Sequence, residues 1–172
     1  MKFKTKSRLN KISTLVFDVD GVFTDATILV TEDGSFRSFS MRDGYAVRMA
    51  ANAGYKLAVI SGGKEESIRT RMRAIGIEEV HLSVGTAQKA EIMNEILTKW
   101  KLQEEEVLYM GDDIPDLLLM NAFAVFKVCP ADAQPEVKEV AEYIAQMNGG
   151  NGAVREVVEL VMKAQNKWMK QF

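Results

Sequence analysis

The chain is poor in the residues that mark several protein classes. It has one cysteine in 172 residues, Cys129, so no internal disulfide framework can form. That fits a reducing compartment, and a cytoplasmic protein is expected. Cys129 precedes Pro130 and has no matched base, so reactive use is not expected. The only histidine, His81, stands beside Leu82 in a strand-like run and reads as structural. A basic excess is missing too: 22 Lys+Arg against 24 Asp+Glu leave a net charge of -2, which argues against a nucleic-acid partner. No apolar run approaches the roughly 18 residues of a membrane span, so no membrane partner is expected. The N-terminus is basic (Lys2, Lys4, Lys6, Arg8, Lys11), but no long apolar stretch follows it as a secretory signal would require. Repeats, low-complexity tracts and linkers are absent, and one domain over residues 1–172 is expected.

What is present is globular: 47% hydrophobic and 27% charged residues, with ten methionines that read as core filler. Short continuous apolar runs occur at Thr14–Phe17, Lys56–Ile60, Glu79–Leu82, Val107–Met110 and Ala122–Phe126. Continuity rather than alternation marks strands buried on both faces, as in a parallel sheet. Helical patterns fill the intervals: Tyr45–Asn52, Lys64–Ile75, Ala87–Trp100, Asp116–Asn121, Pro135–Ala141 and Gly152–Gln165. This alternation predicts a doubly wound α/β sheet whose strand C-termini share one edge, where such sheets bind ligands. Between the first strand and first helix, Ala26–Val30 and Ser35–Phe39 flank Asp33-Gly34, which predicts a projecting β-hairpin.

Four polar signals fall at the ends of the strand runs. Asp18-Val19-Asp20-Gly21 sets two carboxylates on one side of an extended chain, where a Mg²⁺ ion would relieve their repulsion. An EF-hand is excluded, since Val22 and Phe23 stand at its fifth and sixth loop positions. Ser61-Gly62-Gly63 offers a hydroxyl and backbone N–H groups to an anion. Lys89, early in a helix, opposes the helix dipole and suits a nearby anion. Gly111-Asp112-Asp113 with Asp116 gathers three carboxylates at another strand end. Each alone has a plainer reading as a solvated turn, a helix cap or a surface lysine.

Together and in this order they resemble the haloacid dehalogenase (HAD) superfamily of aspartyl-phosphate enzymes. The resemblance implies a Rossmann-like, HAD-like fold. It makes Asp18 the nucleophile and Asp20 the general acid/base. Ser61, Gly62 and Lys89 would hold phosphoryl oxygens. Asp18, the backbone carbonyl of Asp20, and Asp112 would bind Mg²⁺, with Asp113 and Asp116 behind them or acting through water. A two-component receiver domain is rejected, because no aspartate ends the third strand.

About 40 residues separate Asp20 from Ser61 and about 26 separate Gly62 from Lys89, too few for a cap domain. Capless, hairpin-bearing members of this length resemble the 3-deoxy-D-manno-octulosonate 8-phosphate (KDO 8-phosphate) phosphatase family. Three segments carry the likeness: Asp18-Val19-Asp20-Gly21-Val22-Phe23-Thr24-Asp25, Met41-Arg42-Asp43-Gly44-Tyr45-Ala46-Val47-Arg48, and Gly149-Gly150-Asn151-Gly152-Ala153-Val154-Arg155-Glu156. The resemblance implies a homotetramer in lipopolysaccharide biosynthesis acting on a sugar acid phosphate. The hairpin flap (about 26–40) would sit at subunit interfaces and a C-terminal tail (about 148–172) near a site mouth. Thr24, Arg42, Asp43, Gly44, Lys64 and Arg155 become candidate substrate contacts. The chain departs at Gly63, where members commonly carry Arg and nine-carbon sugar acid relatives carry Glu. Lys64 would then supply the cation for a substrate carboxylate. The alternatives are a phosphatase for the nine-carbon 2-keto-3-deoxy-nonulosonate 9-phosphate, or a catalytically silent sugar-phosphate-binding protein.

Overall fold

A computed structural model describes residues 3–170. Lys2 and the outer ends of the expected 1–172 domain lie outside the described residues. Six parallel strands form the main sheet: β1 (Thr14–Phe17), β4 (Lys56–Ile60), β5 (Glu79–His81), β6 (Val107–Met110), β7 (Phe126–Cys129) and β8 (Tyr143–Ile144). Their order is β5-β4-β1-β6-β7-β8. The chain winds outward from β1 in one direction and then the other, so the switch point lies at β1. A separate antiparallel hairpin pairs β2 (Leu29–Thr31) with β3 (Gly34–Phe36).

The helices are α1 (Phe3–Leu9), α2 (Met41–Asn52), α3 (Glu66–Ala74), α4 (Gln88–Trp100), α5 (Ile114–Ala122), α6 (Pro135–Val140) and α7 (Ala153–Ala164). They cover both faces of the sheet. Leu15 and Phe17 of β1 face a core layer with Val47 and Ala50 of α2, Ile68 and Met72 of α3, and Val154, Val157 and Val161 of α7. Val16 faces the opposite layer with Met93 and Ile96 of α4 and Leu119 and Met120 of α5. All four residues of β1 are buried, as a two-sided parallel strand requires.

The architecture is the expected α/β sheet, and no cap domain interrupts the described residues. The fifth strand is displaced. Ala122 closes α5, and the strand begins at Phe126, where Lys127 breaks the apolar run before Val128 and Cys129. The two-residue β8 and the basic helix α1 add elements to those expected. The hairpin turn is Glu32-Asp33, one residue earlier than Asp33-Gly34, because Thr31 pairs with Gly34. The hairpin projects: Leu29 is 66% exposed and Val30 72%.

Candidate active site

The sheet's C-terminal edge brings the strand-end motifs together. The Asp18 N–H donates to Met110 O of β6, and the Ser61 N–H to His81 O of β5, so both residues continue the ladder into one opening. A cavity of about 400 Å³ there is lined by Asp18, Asp20, Ser61, Gly62, Lys89, Asp112 and Asp113. Ala26, Gly63, Val84, Gly85, Thr86 and Pro115 complete it.

Lys89 is the hub. Its Nζ donates to Asp18 Oδ2 at 2.9 Å and to Asp116 Oδ1 at 2.7 Å, and its side chain is 2% exposed. Burial pulls the ammonium pKa down, but Asp18 and Asp116 outweigh it and hold the pKa above the ordinary value. Asp116 is spoken for on all sides. It also accepts from the buried Tyr109 hydroxyl at 2.6 Å and from the Asp112 N–H at 2.9 Å. Asp113 caps α5, accepting from the Ile114 N–H at 2.7 Å, while Asp116 answers from the first turn as a capping box.

The remaining carboxylates are short of positive charge. Burial, then Asp116, raises the Asp18 pKa from 3.8 to about 7 against the pull of Lys89. Burial, then Asp116, Asp18 and Asp113, raises Asp112 to about 8. Asp112 Oδ1 is buried without a hydrogen-bond partner. Carboxylate oxygens of Asp18, Asp112 and Asp116 lie within 4.8 Å of one another. Crowded acids with an orphan oxygen fit a hard divalent cation. Since Asp116 is already saturated, Asp18 and Asp112 are the ones free to ligate. Gly21 lets the first loop pass close: at φ 80°, a Cβ there would stand 1.9 Å from Asp112 Oδ2.

This arrangement has a consequence for stability. An acid whose folded pKa is raised above its unfolded value favours the folded state most at low pH. That advantage fades as pH rises from about 4 through the folded values, about 7 for Asp18 and about 8 for Asp112. Metal-free protein should therefore melt lower at pH 8 than at pH 5.5. Mg²⁺ at 100 times its Kd contributes about 2.7 kcal/mol, a rise of roughly 5–10 °C at pH 8, and should do much less at pH 5.5. Equal shifts at both pH values in a thermal melt would contradict the assignment of Asp112.

Several candidates stand elsewhere. Thr24 is fully buried, and its hydroxyl accepts from the N–H groups of Gly21 and Ala26. Asp43 is also buried, and accepts from the N–H groups of Gly152 at 3.2 Å and Arg155 at 2.8 Å. It thus caps α7 from a distance, joining two of the segments that carry the resemblance. Burial raises its pKa against those bonds. Gly44 packs against Arg71 and Ile75. Lys64 is exposed outside the cavity lining. Arg42 and Arg155 line a second cavity of about 400 Å³, and Arg155 Nε donates to Glu159 at 2.7 Å.

The Gly149 segment does not cover the cavity of its own chain. It lies against the backbone of the first loop, with the Gly150 N–H donating to Val22 O at 3.0 Å. A Cβ on Gly149 would stand 1.8 Å from Gly21 O. Gly149→Ala should push that loop off its support, costing about 1–3 kcal/mol. It should also weaken Mg²⁺ binding, read as a smaller metal-induced rise in Tm. An unchanged melt would show that the loop does not rest on Gly149. Sequence reading missed two residues of the site's periphery. Arg37 forms paired bonds to Asp20, and Tyr109 braces Asp116. Tyr109 stood in the fourth apolar run, and its hydroxyl at a strand end was the available signal.

A family model described as haloacid dehalogenase-like hydrolase matches residues 44–123. The 3-deoxy-D-manno-octulosonate 8-phosphate phosphatase KdsC of Salmonella typhi is 36% identical over 162 residues, covering 94% of this chain and 85% of that protein. The chain belongs to the KdsC family of haloacid dehalogenase-like hydrolases. Solved structures agree. The phosphatase of that name from Yersinia pestis matches at a TM-score of 0.94 and 32% identity, over 99% of this chain and 91% of that one. The Moraxella catarrhalis phosphatase, in complex with magnesium, phosphate and KDO, matches at 0.91 and 28% identity, over 98% and 95%. KdsC relatives thus share the strand order that gathers Asp18, Ser61, Lys89 and Asp112.

Proposed function

We propose that the chain is a Mg²⁺-dependent phosphatase that hydrolyses KDO 8-phosphate to KDO and phosphate through an aspartyl-phosphate on Asp18. The observation that carries this is one cavity lined by Asp18, Asp20, Ser61, Lys89 and Asp112 in a KdsC-family fold. Asp18, Asp112 and the Asp20 carbonyl would hold Mg²⁺, which when bound would supply positive charge to the phosphoryl oxygens.

The chain's own residues do the rest. Asp18 attacks phosphorus, which divides one hard displacement into two easier ones. Asp20 gives a proton to the leaving sugar oxygen, then takes one from the water that frees Asp18. Ser61 and the Gly62 N–H bind phosphoryl oxygens. Lys89 offsets the charge on Asp18 during transfer. Asp116 and Tyr109 hold Lys89 in place, while Asp113 fixes the start of α5.

The relatives' activity on KDO 8-phosphate favours the eight-carbon substrate, and the Moraxella structure holds KDO itself. We read residues 1–172 as one domain with a hairpin flap at 26–40 and a tail at 148–172. The exposed Ile28, Leu29, Val30 and Phe36 support burial of that flap between subunits of a homotetramer. In such an assembly, Arg42, Lys64 and Arg155 are available to a neighbour's substrate. Cys129 is free, which fits the cytoplasm, and the product fits lipopolysaccharide biosynthesis. No described helix is long and apolar enough to cross a membrane.

Phosphate release from KDO 8-phosphate, the nine-carbon 9-phosphate and p-nitrophenyl phosphate tests this reading. The highest kcat/KM is expected for KDO 8-phosphate. Preference for the nine-carbon acid would reassign the substrate. Silence on all three with Mg²⁺ would leave a binding protein.

A further inference from the structure

Arg37 follows β3 and reaches from the base of the hairpin into the site. Its Nε donates to Asp20 Oδ1 at 2.7 Å, and Nη2 donates to Oδ2 at 3.1 Å. Nη1 donates to Glu65 Oε2 at 2.8 Å, and the arginine side chain is 6% exposed. Paired bonds of this kind fix the plane of a carboxylate as well as its position. The other side-chain contact to Asp20, from the Thr24 hydroxyl, is long at 3.5 Å. The orientation of Asp20 therefore rests mainly on Arg37.

The guanidinium also ties three segments together. Asp20 belongs to the first loop, Arg37 to the hairpin, and Glu65 to the loop after Ser61, where it also accepts from the Lys64 N–H at 3.1 Å. Gly63 lies beside it. A Cβ there would stand 2.5 Å from Ile68 Cδ1 and 3.4 Å from Arg37 Nη2.

We infer that Arg37 is a positioning residue for phosphoryl transfer, holding Asp20 at the angle from which it moves its proton and linking that angle to the hairpin. This rests on the phosphatase reading, in which Asp20 is the acid/base. Acid help matters in proportion to the basicity of the leaving oxygen. A p-nitrophenolate departs without a proton, whereas a sugar alkoxide needs one.

The test compares kcat/KM for wild type, Arg37→Ala and Arg37→Lys on p-nitrophenyl phosphate, phenyl phosphate and KDO 8-phosphate. Arg37→Ala should lose on the order of 10²-fold on the sugar phosphate, and only about threefold on p-nitrophenyl phosphate, because misplacement affects the acid-assisted step. Phenyl phosphate should fall between them. Arg37→Lys should recover part of the loss. Free guanidinium should rescue Arg37→Ala on the sugar phosphate alone. Glu65→Ala releases the far anchor without touching Asp20. It should show the same dependence on leaving group at smaller size, even if Arg37→Ala fails to fold. An equal loss on all three substrates, without rescue, would overturn the inference and make Arg37 a structural strut of the hairpin. A wild type inactive on all three would instead overturn the phosphatase reading.

Discussion

Asp18→Asn is expected to lower turnover by on the order of 10⁴-fold or more, because in the proposed mechanism no amide can replace the attacking carboxylate. It should do so without weakening the fold. The Asp18 side chain is only 13% exposed, and this desolvation raises its pKa to about 7. At pH 8 it is therefore held ionised against its surroundings, and a neutral side chain of the same shape removes that cost. Lys89 keeps Asp116 at 2.7 Å, so no ammonium is left unpaired. Melting in chelator at pH 8 should place Asp18→Asn at or above wild type. At pH 5.5 the difference should shrink, since the wild-type carboxyl is then protonated. Turnover above a few percent of wild type would remove Asp18 as nucleophile. A large drop in Tm would mean that its charge stabilises the fold.

Lys89→Met should have the opposite signature, losing both activity and stability. Methionine replaces the buried stem but leaves Asp18 and Asp116 facing each other without the cation they share. Asp116 is fully buried, so the uncompensated charge should cost about 3–5 kcal/mol, a fall in Tm of roughly 6–20 °C. The deficit should be larger at pH 8 than at pH 5.5, because Asp18, with its pKa raised to about 7, is protonated at the lower pH and no longer repels Asp116. A Tm within a degree of wild type at pH 8 would show that Tyr109 and the backbone N–H groups suffice to hold Asp116.

Much of this was legible because the chemistry sits where the local pattern is strongest. β1, β4 and β6 are buried on both faces, so they read as unbroken apolar runs, and the motif residues begin where those runs stop. β7 was misplaced because the half-buried Lys127 splits its apolar run. The pair of residues in β8 carries no periodicity at all. Thr24 and Asp43 sat in segments that looked functional, yet both are buried and hold backbone N–H groups. No local pattern separates a substrate ligand from a polar clasp of that kind. Arg37 was invisible for a related reason. On an otherwise exposed hairpin it reads as surface charge, and only the folded chain brings it to Asp20, 17 residues earlier.

The central claim is that the phosphoryl group passes through Asp18. The direct measurement is acid quenching of enzyme turning over KDO 8-phosphate with Mg²⁺, followed by mass spectrometry of the peptide that contains residues 14–20. A phosphate on Asp18, absent from Asp18→Asn and from enzyme quenched in excess chelator, is the expected result. Steady turnover with no phosphate on Asp18 at any quench time, or the same turnover by Asp18→Asn, would contradict the account.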